Sequence, residues 1–257
     1  MNLLFETTQA NRYKSASQKA RVLTEQWVDS QVYCPNCGQS KMSQYKNNRP
    51  VADFYCMNCR EDYQLKGNKN LFGKRVVDGA YSTMINSVLD RTNPNLFLLS
   101  YELQKLSILN FLVIPKHFFT PDMIEKRNPL SVKAVRAGWT GCNILIESVP
   151  ESGKIYYIRD GTVEPKIKVL KEWNKTLFLR EEKEISAKGW LLHIMMCIER
   201  LGESDFLLDD IYGFEEELAR LHPNNKHIKD KIRQQLQFLR SKNYLEFKGG
   251  GKYRLKS

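Results

Sequence analysis

Asp53 is followed, after ten residues, by Gln64-Leu65-Lys66. Residues 51–55 and 62–66 both alternate apolar and polar side chains, and the spacing predicts two neighbouring strands. Because side chains alternate across a strand, Gln64 and Lys66 share one face, the Leu65 side chain takes the other, and Asp53 on the adjoining strand can meet the pair. A carboxylate, a second oxygen ligand and a lysine at one point are what Mg2+-dependent phosphodiester hydrolysis requires. The carboxylate holds the hard cation through oxygen, the cation polarises phosphate and lowers the pKa of a bound water, and the lysine orients that water or stabilises developing charge. Asp53, Gln64 and Lys66 are thus the candidate catalytic residues, with Asp53, Gln64 and Leu65 the candidate Mg2+ positions. Three ordinary hairpin residues are the competing reading, since Asp-x10-Gln-x-Lys arises easily by chance.

Four of the six cysteines form Cys34-x2-Cys37 and Cys56-x2-Cys59, with 18 residues between the pairs. Each tight turn aims two thiolates at one point, and two such turns complete the tetrahedron of a closed structural zinc site. Paired disulfides or redox dithiols are the alternative; the first is disfavoured by the reducing compartment expected of a chain that shows no secretory signal, and the second rarely comes doubled. A cation with all four positions filled by sulfur has no site left for chemistry, so Zn2+ is expected to act as a staple. Cys142 and Cys197 stand among apolar residues and read as core.

The elements that must position these residues follow from periodicity. Residues 15–31 and 80–89 read as helices, and 95–101, 109–114 and 154–159 as strands. The second cysteine knuckle lies between strands 51–55 and 62–66 as an elaborated hairpin turn. From about Glu181 the texture changes to a helix capped by Ser186 and running to Arg200, a second over 209–221 and a third over 225–242. In the third, Ile228, Ile232, Leu236 and Leu239 line one face. Strands 244–247 and 252–255, joined across Gly249-Gly250-Gly251, then complete a winged helix-turn-helix; a generic helical bundle with a basic face is the alternative.

The 257 residues carry 40 Lys plus Arg against 29 Asp plus Glu, a formal charge of +11. Residues 222–257 hold ten basic and two acidic residues, whereas 181–221 hold four and eleven, so the positive charge is concentrated where a nucleic-acid partner would sit. Hydrophobic residues at 42% with 27% charged exclude a disordered class, and the longest apolar stretches, 96–99 and 111–114, fall far short of the roughly 20 residues that a bilayer crossing needs. With no basic-then-apolar leader at the N-terminus, a cytoplasmic protein without a membrane partner is expected. No obligate protein partner is evident.

Lys14-Ser-Ala-Ser-Gln-Lys-Ala-Arg21, Asn47 to Cys56, Asp78-Gly-Ala-Tyr81, Arg136-Ala-Gly-Trp-Thr-Gly-Cys-Asn143, His227-Ile-Lys with Lys231 to Leu236, and Glu246-Phe-Lys together resemble the DpnI-like methyl-directed restriction endonucleases. The resemblance runs through nearly the whole chain. It implies an α/β (α+β) fold: a restriction-endonuclease-like mixed-sheet core of the PD-(D/E)xK type over 1–180 with an inserted four-cysteine zinc site (34–59), plus a winged helix over 181–257. It implies cleavage of double-stranded DNA at GATC carrying N6-methyladenine. Asp53 and Lys66 match the motif. Gln64 departs from its acidic residue, removing one negative charge, and the motif proline is displaced to Pro50, with Ala52 preceding Asp53. Asp62, of the same strand parity as Gln64, is expected to supply part of the missing charge.

Trp139 is the candidate apolar surface for the adenine methyl group, although a tryptophan beside glycine also reads as packing. Lys229, Arg233, Gln234 and Gln237 are expected to face the major groove, and Lys248, Lys252 and Arg254 the phosphates. The four histidines show no metal-ligand pairing. Two rivals stay open: a catalytically weak or inactive methyl-DNA-binding regulator, and a repair or junction nuclease recognising structure.

Overall fold

A computed structural model describes residues 1–46 and 52–256, so Pro50, the first residue of the expected strand 51–55 and Asn47 to Val51 of the resembling segment lie outside the described residues. The chain divides into two compact units, one of 1–148 and 152–176 and one of 149–151 and 177–257.

The first unit opens with α1 (Ala16–Gln31), whose Leu23, Thr24, Trp27 and Val28 are buried. It is built on a seven-stranded mixed sheet. In chain order its strands are β1 (Ser43–Gln44), β2 (Phe54–Tyr55), β3 (Asp62–Asn68), then, after β4 (Arg75–Ala80) and α2 (Tyr81–Leu89), β5 (Asn95–Glu102) and β6 (Ser107–Ile114). After β7 (Ile124–Lys126) and β8 (Gly141–Leu145) come β9 (Ile155–Arg159) and β10 (Thr162–Val163), and α3 (Lys166–Lys175) closes the unit. Across the sheet the order is β1-β2-β3-β5-β6-β9-β10. β3 and β5 run parallel, with Gln64 opposite Leu96 and Lys66 opposite Leu98, and the other neighbours are antiparallel. β5 is buried from Asn95 to Tyr101, the apolar run expected of a central strand covered on both faces.

Aromatic rings fill that centre. Tyr63 stacks on Phe97 with centroids 4.6 Å apart, and Trp27 meets Phe111 edge-on at 5.2 Å. α1 comes close to β3 because position 67 is glycine: a Cβ there would lie 3.0 Å from Thr24 Cγ2. The strand pair around the second knuckle is present, with Phe54 opposite Tyr63 and Tyr55 opposite Asp62.

Several expectations need correction. β4, β7 and β8, unforeseen, make a separate antiparallel sheet of order β4-β8-β7. β4 escapes notice because it buries Val76 and Asp78 alternately, and a carboxylate in a buried register spoils the apolar pattern. α3 was likewise unforeseen.

In the second unit, α4 (Ile185–Arg200) buries Trp190, Leu191, Ile194, Met195 and Ile198. Ser186 does not cap it: the N-cap position is Glu184, and the Ser186 hydroxyl donates to the Glu184 carboxylate. β11 (Asp205–Leu207) follows, then α5 (Leu208–Tyr212), α6 (Glu215–Leu221), α7 (Ile228–Ser241), β12 (Leu245–Gly249) and β13 (Lys252–Leu255). The helix expected over 209–221 is thus two short ones broken at Gly213-Phe214, and the third begins at Ile228 instead of Asn225. α7 buries Ile228, Ile232, Leu236 and Leu239, as its period requires. β12 and β13 pair through Gly249, Gly250 and Gly251, all at positive φ (90°, 58° and 77°), a turn that side-chain-bearing residues would strain. β11 completes a three-stranded sheet of order β11-β13-β12, giving the helix-turn-helix its wing. No helix among the described residues is long and apolar enough to cross a membrane.

Candidate active site and DNA-facing elements

The hairpin of β2 and β3 brings the motif residues together. Asp53 N–H donates to the Tyr63 carbonyl at 2.9 Å, which carries the pairing one residue past β2. Its carboxylate turns back along β3, Oδ2 accepting the Leu65 N–H at 2.7 Å. Beyond Tyr63 this edge of β3 has no strand partner among the described residues, and a strand residue turns its N–H and C=O to the same edge. The Leu65 carbonyl therefore opens beside Asp53. The Asp53 carboxylate, the Leu65 carbonyl and the Gln64 amide offer oxygen donors of the kind a hard divalent cation takes, so the residue types present fit Mg2+.

Gln64 and Lys66 do share a face, and their common partner comes from β4 in the other sheet. Lys66 Nζ lies 2.5 Å from Asp78 Oδ1, and Gln64 Nε2 donates to the same oxygen at 3.1 Å. Asp78 was missed in the sequence, where it reads only as part of a resembling segment. Asp62, expected to supply charge here, accepts the Tyr45 hydroxyl on Oδ1 at 2.7 Å.

On the α1 side a cleft of about 380 Å³ reaches Asp53, lined also by Arg21, Thr24, Glu25, Leu65 and Tyr101. Burial pushes the Asp53 carboxyl above its ordinary range. The Leu65 N–H and Lys66 oppose the rise, and the like charge of Asp78 adds to it. Glu25 is also raised, first by burial and then by Asp53, against Arg21 3.7 Å away. Sequence reading missed Glu25, and nothing in its local pattern marks it.

The four cysteines at 34, 37, 56 and 59 converge, their sulfurs all within 4.8 Å of one another, and none is in a disulfide. Cys34 and Cys59 Sγ are 3.5 Å apart, as are those of Cys37 and Cys56. A tetrahedron with metal–sulfur bonds of about 2.3 Å has edges of about 3.8 Å, so the cluster fits zinc. Burial works to raise the Cys37 thiol, but hydrogen bonds from the Asn58 side chain, the Gln39 backbone and the neighbouring sulfurs prevail and bring it down to about 7. Trp173 Nε1 donates to Asn36 Oδ1 at 2.8 Å, tying α3 to the first knuckle. Cys142 and Cys197 are buried.

Trp139 lies on the segment between β7 and β8. It is half-buried, folded so that a Cβ on Gly141 would meet its ring at 2.9 Å, with the Arg136 guanidinium 4.6 Å above the ring. It stands near the end of β8 where Cys142 pairs with Asp78.

In the second unit α7 presents Lys229, Arg233, Gln234 and Gln237 to solvent. Lys229 sits 3.4 Å from Glu215, Arg233 pairs with Asp230 and donates to the Tyr212 hydroxyl at 3.1 Å, and Gln234 accepts from Lys231 at 2.8 Å. Lys248, Lys252 and Arg254 are exposed on the wing. Arg254 is held bidentate by Asp205 on β11 at 2.6 and 2.8 Å, Lys252 lies 3.8 Å from the same carboxylate, and Lys248 pairs with Glu246 at 2.8 Å. Of the histidines, His193 and His222 do meet, at 2.9 Å, with Trp190 stacked on His222 at 3.7 Å.

A family model described as DpnI, Dam-replacing family, matches residues 1–182, and one described as DpnI C-terminal, Dam-replacing HTH domain, matches 186–255. The chain belongs to the DpnI, Dam-replacing family. Membership in the Dam-replacing family supports a restriction-endonuclease-type enzyme, and its HTH domain supports DNA as the partner.

Proposed function

We propose that the chain is a Mg2+-dependent restriction endonuclease that hydrolyses double-stranded DNA at GATC sites carrying N6-methyladenine, with zinc as a structural staple and the winged helix as a second DNA reader. The observation that supports the reading is that Asp53 turns its carboxylate onto Leu65 of β3 while Gln64 and Lys66 of the same strand share one face, in a chain of the DpnI family.

Asp53, the Leu65 carbonyl and the Gln64 amide oxygen hold the cation. Bound there, Mg2+ supplies a Lewis acid for the scissile phosphate and lowers the pKa of a water. Lys66 then has two uses, directing the attacking water toward phosphorus and stabilising charge on the phosphoryl oxygens as the P–O bond to the leaving oxygen breaks. Trp139 offers an apolar ring to the methyl group in the major groove. Along α7, Lys229 shares the groove-facing side with Arg233, which suits guanine, and Gln234 and Gln237, which suit adenine, while the wing residues Lys248, Lys252 and Arg254 position the duplex through phosphate.

The test is a Mg2+ digest of one plasmid prepared with and without adenine methylation at GATC, beside Asp53→Ala. Fragments from the methylated plasmid alone, absent with the variant, are expected. Tighter binding of methylated DNA with no cleavage would make the chain a reader silenced at Gln64. Cleavage of branched but not linear duplexes would make it a junction nuclease.

A further inference from the structure

We infer that Asp78 is the second carboxylate of the metal site, standing in for the charge that Gln64 lacks and fixing the Gln64 amide so that its oxygen faces the cation. This rests on the nuclease reading and deepens it. With Asp53 and Lys66 alone, the charges at the site cancel. Adding Asp78 gives two negative groups against one positive, the balance of a motif with an acidic residue at position 64. A divalent cation needs that residual negative charge, because carboxylate count is a main control on its affinity.

The geometry is specific about the amide. An ionised carboxylate only accepts hydrogen bonds, so the group that Gln64 turns toward Asp78 at 3.1 Å must be its NH2, and the carbonyl oxygen is directed away from Asp78. Asp78 thereby selects one of the two amide orientations, the one that leaves an oxygen for the metal. Its Oδ1 receives both Gln64 and Lys66, while among the described residues Oδ2 takes no hydrogen bond.

The side chain is only 6% exposed, and a carboxylate so deeply placed calls for a cation in reach. Lys66 is one such cation, but in the proposed reaction Lys66 is also needed at the phosphate, and a bound divalent cation would supply the compensating charge in its place. Asp78 arrives here because β4 turns Val76 and Asp78 to the same buried face, from which the carboxylate reaches Lys66 and Gln64 on β3. Asp78 and Lys66 are both close enough to act on Asp53, the one raising its carboxyl and the other opposing the rise. The rival account is a structural ion pair, in which Asp78 only neutralises Lys66.

Mn2+ binding followed by electron paramagnetic resonance separates the two on the full-length, zinc-loaded protein without DNA, with circular dichroism confirming that each variant is folded. Four variants are compared with the native chain: Asp53→Asn, Asp78→Asn, Gln64→Glu, and Gln64→Glu with Asp78→Asn. Asp78→Asn is expected to weaken Mn2+ by about tenfold or more, and the double variant to return it to within about threefold of native. Gln64→Glu alone, which does not depend on Asp78→Asn folding, is expected to tighten Mn2+ by less than about threefold, since the second acid is already present. Native affinity in Asp78→Asn, failure of the folded double variant to recover, or a tenfold gain in Gln64→Glu would each overturn the role of Asp78. Absence of any Mn2+ site sensitive to Asp53→Asn in the native chain would instead remove the nuclease reading itself.

Discussion

Replacing Asn95 by leucine should unlock the register of the strands that carry the site. Asn95 is fully buried at the start of β5, and every polar atom of its side chain is engaged. Nδ2 donates to Glu61 Oε2 and to the Asp62 carbonyl, both at 2.9 Å, and Oδ1 accepts the Lys116 N–H at 2.8 Å. Lys116 Nζ also reaches Glu61 at 3.3 Å. Leucine would leave the Lys116 N–H without its acceptor, a cost of about 1–3 kcal/mol, and take one donor from each of two acceptors at about 1 kcal/mol apiece. Offset by the apolar side chain it introduces, the net loss is about 3 kcal/mol. Hydrogen exchange read peptide by peptide is the assay, under conditions where exchange follows the opening free energy. Amides of β3 and β5 should exchange about a hundredfold faster, since about 1.4 kcal/mol is a factor of ten. Those of α7, in the other unit, should not change. Glu61→Gln, which keeps the Asn95 bonds to Asp62 and Lys116, should cost about 1 kcal/mol or less. Protection of β3 in Asn95→Leu within about fivefold of native would refute the claim that this network sets the register.

Removing zinc with a chelator, or substituting Cys56→Ser, should release the amide protection of β2 and β3 and abolish cleavage, because structural zinc contributes about 10 kcal/mol or more to small sites; atomic emission should find one zinc per chain. The raised Asp53 and Glu25 carboxyls take up protons on folding, so their contribution favours the folded state below the ordinary values of 3.8 and 4.5 and is lost as pH rises through the raised ones. If Asp53 holds Mg2+ in its ionised form, the stabilising shift of the melting temperature that Mg2+ gives should shrink as pH falls through the raised range of that carboxyl, and a shift independent of pH down to acid unfolding would contradict the site. Lys252→Ala should weaken binding of all DNA sequences alike and reduce the salt dependence by about one ion, whereas Asp205→Asn, which frees Arg254 and Lys252, should steepen it. Fluorescence anisotropy at several salt concentrations distinguishes the two.

Sequence alone disclosed what short-range spacing encodes. Both cysteine pairs and the facing of Gln64 with Lys66 follow from turns and from a period of two, and α7 shows its buried face at a period near four. Asp78 was not legible, because it reaches Lys66 from a different sheet and nothing local to β4 announces that meeting. Asp62 was chosen on strand parity alone, and parity does not reveal that the Tyr45 hydroxyl competes for it. β11 is three residues long, too short for any period to register, and the break at Gly213-Phe214 interrupts a stretch whose polarity suits one continuous helix.

Asp53, Gln64, Leu65, Lys66 and Asp78 fall within 26 consecutive residues, while β5, β6 and β9, the strands that brace them, come later in the chain. A polypeptide leaving the ribosome therefore carries every proposed donor of the site before it has a sheet on which to hold them. Productive geometry tolerates errors of only about half an ångström, so those donors stay inert as they emerge. For an enzyme that breaks DNA, the order of synthesis is itself a delay: the blade is made first and the handle that steadies it last.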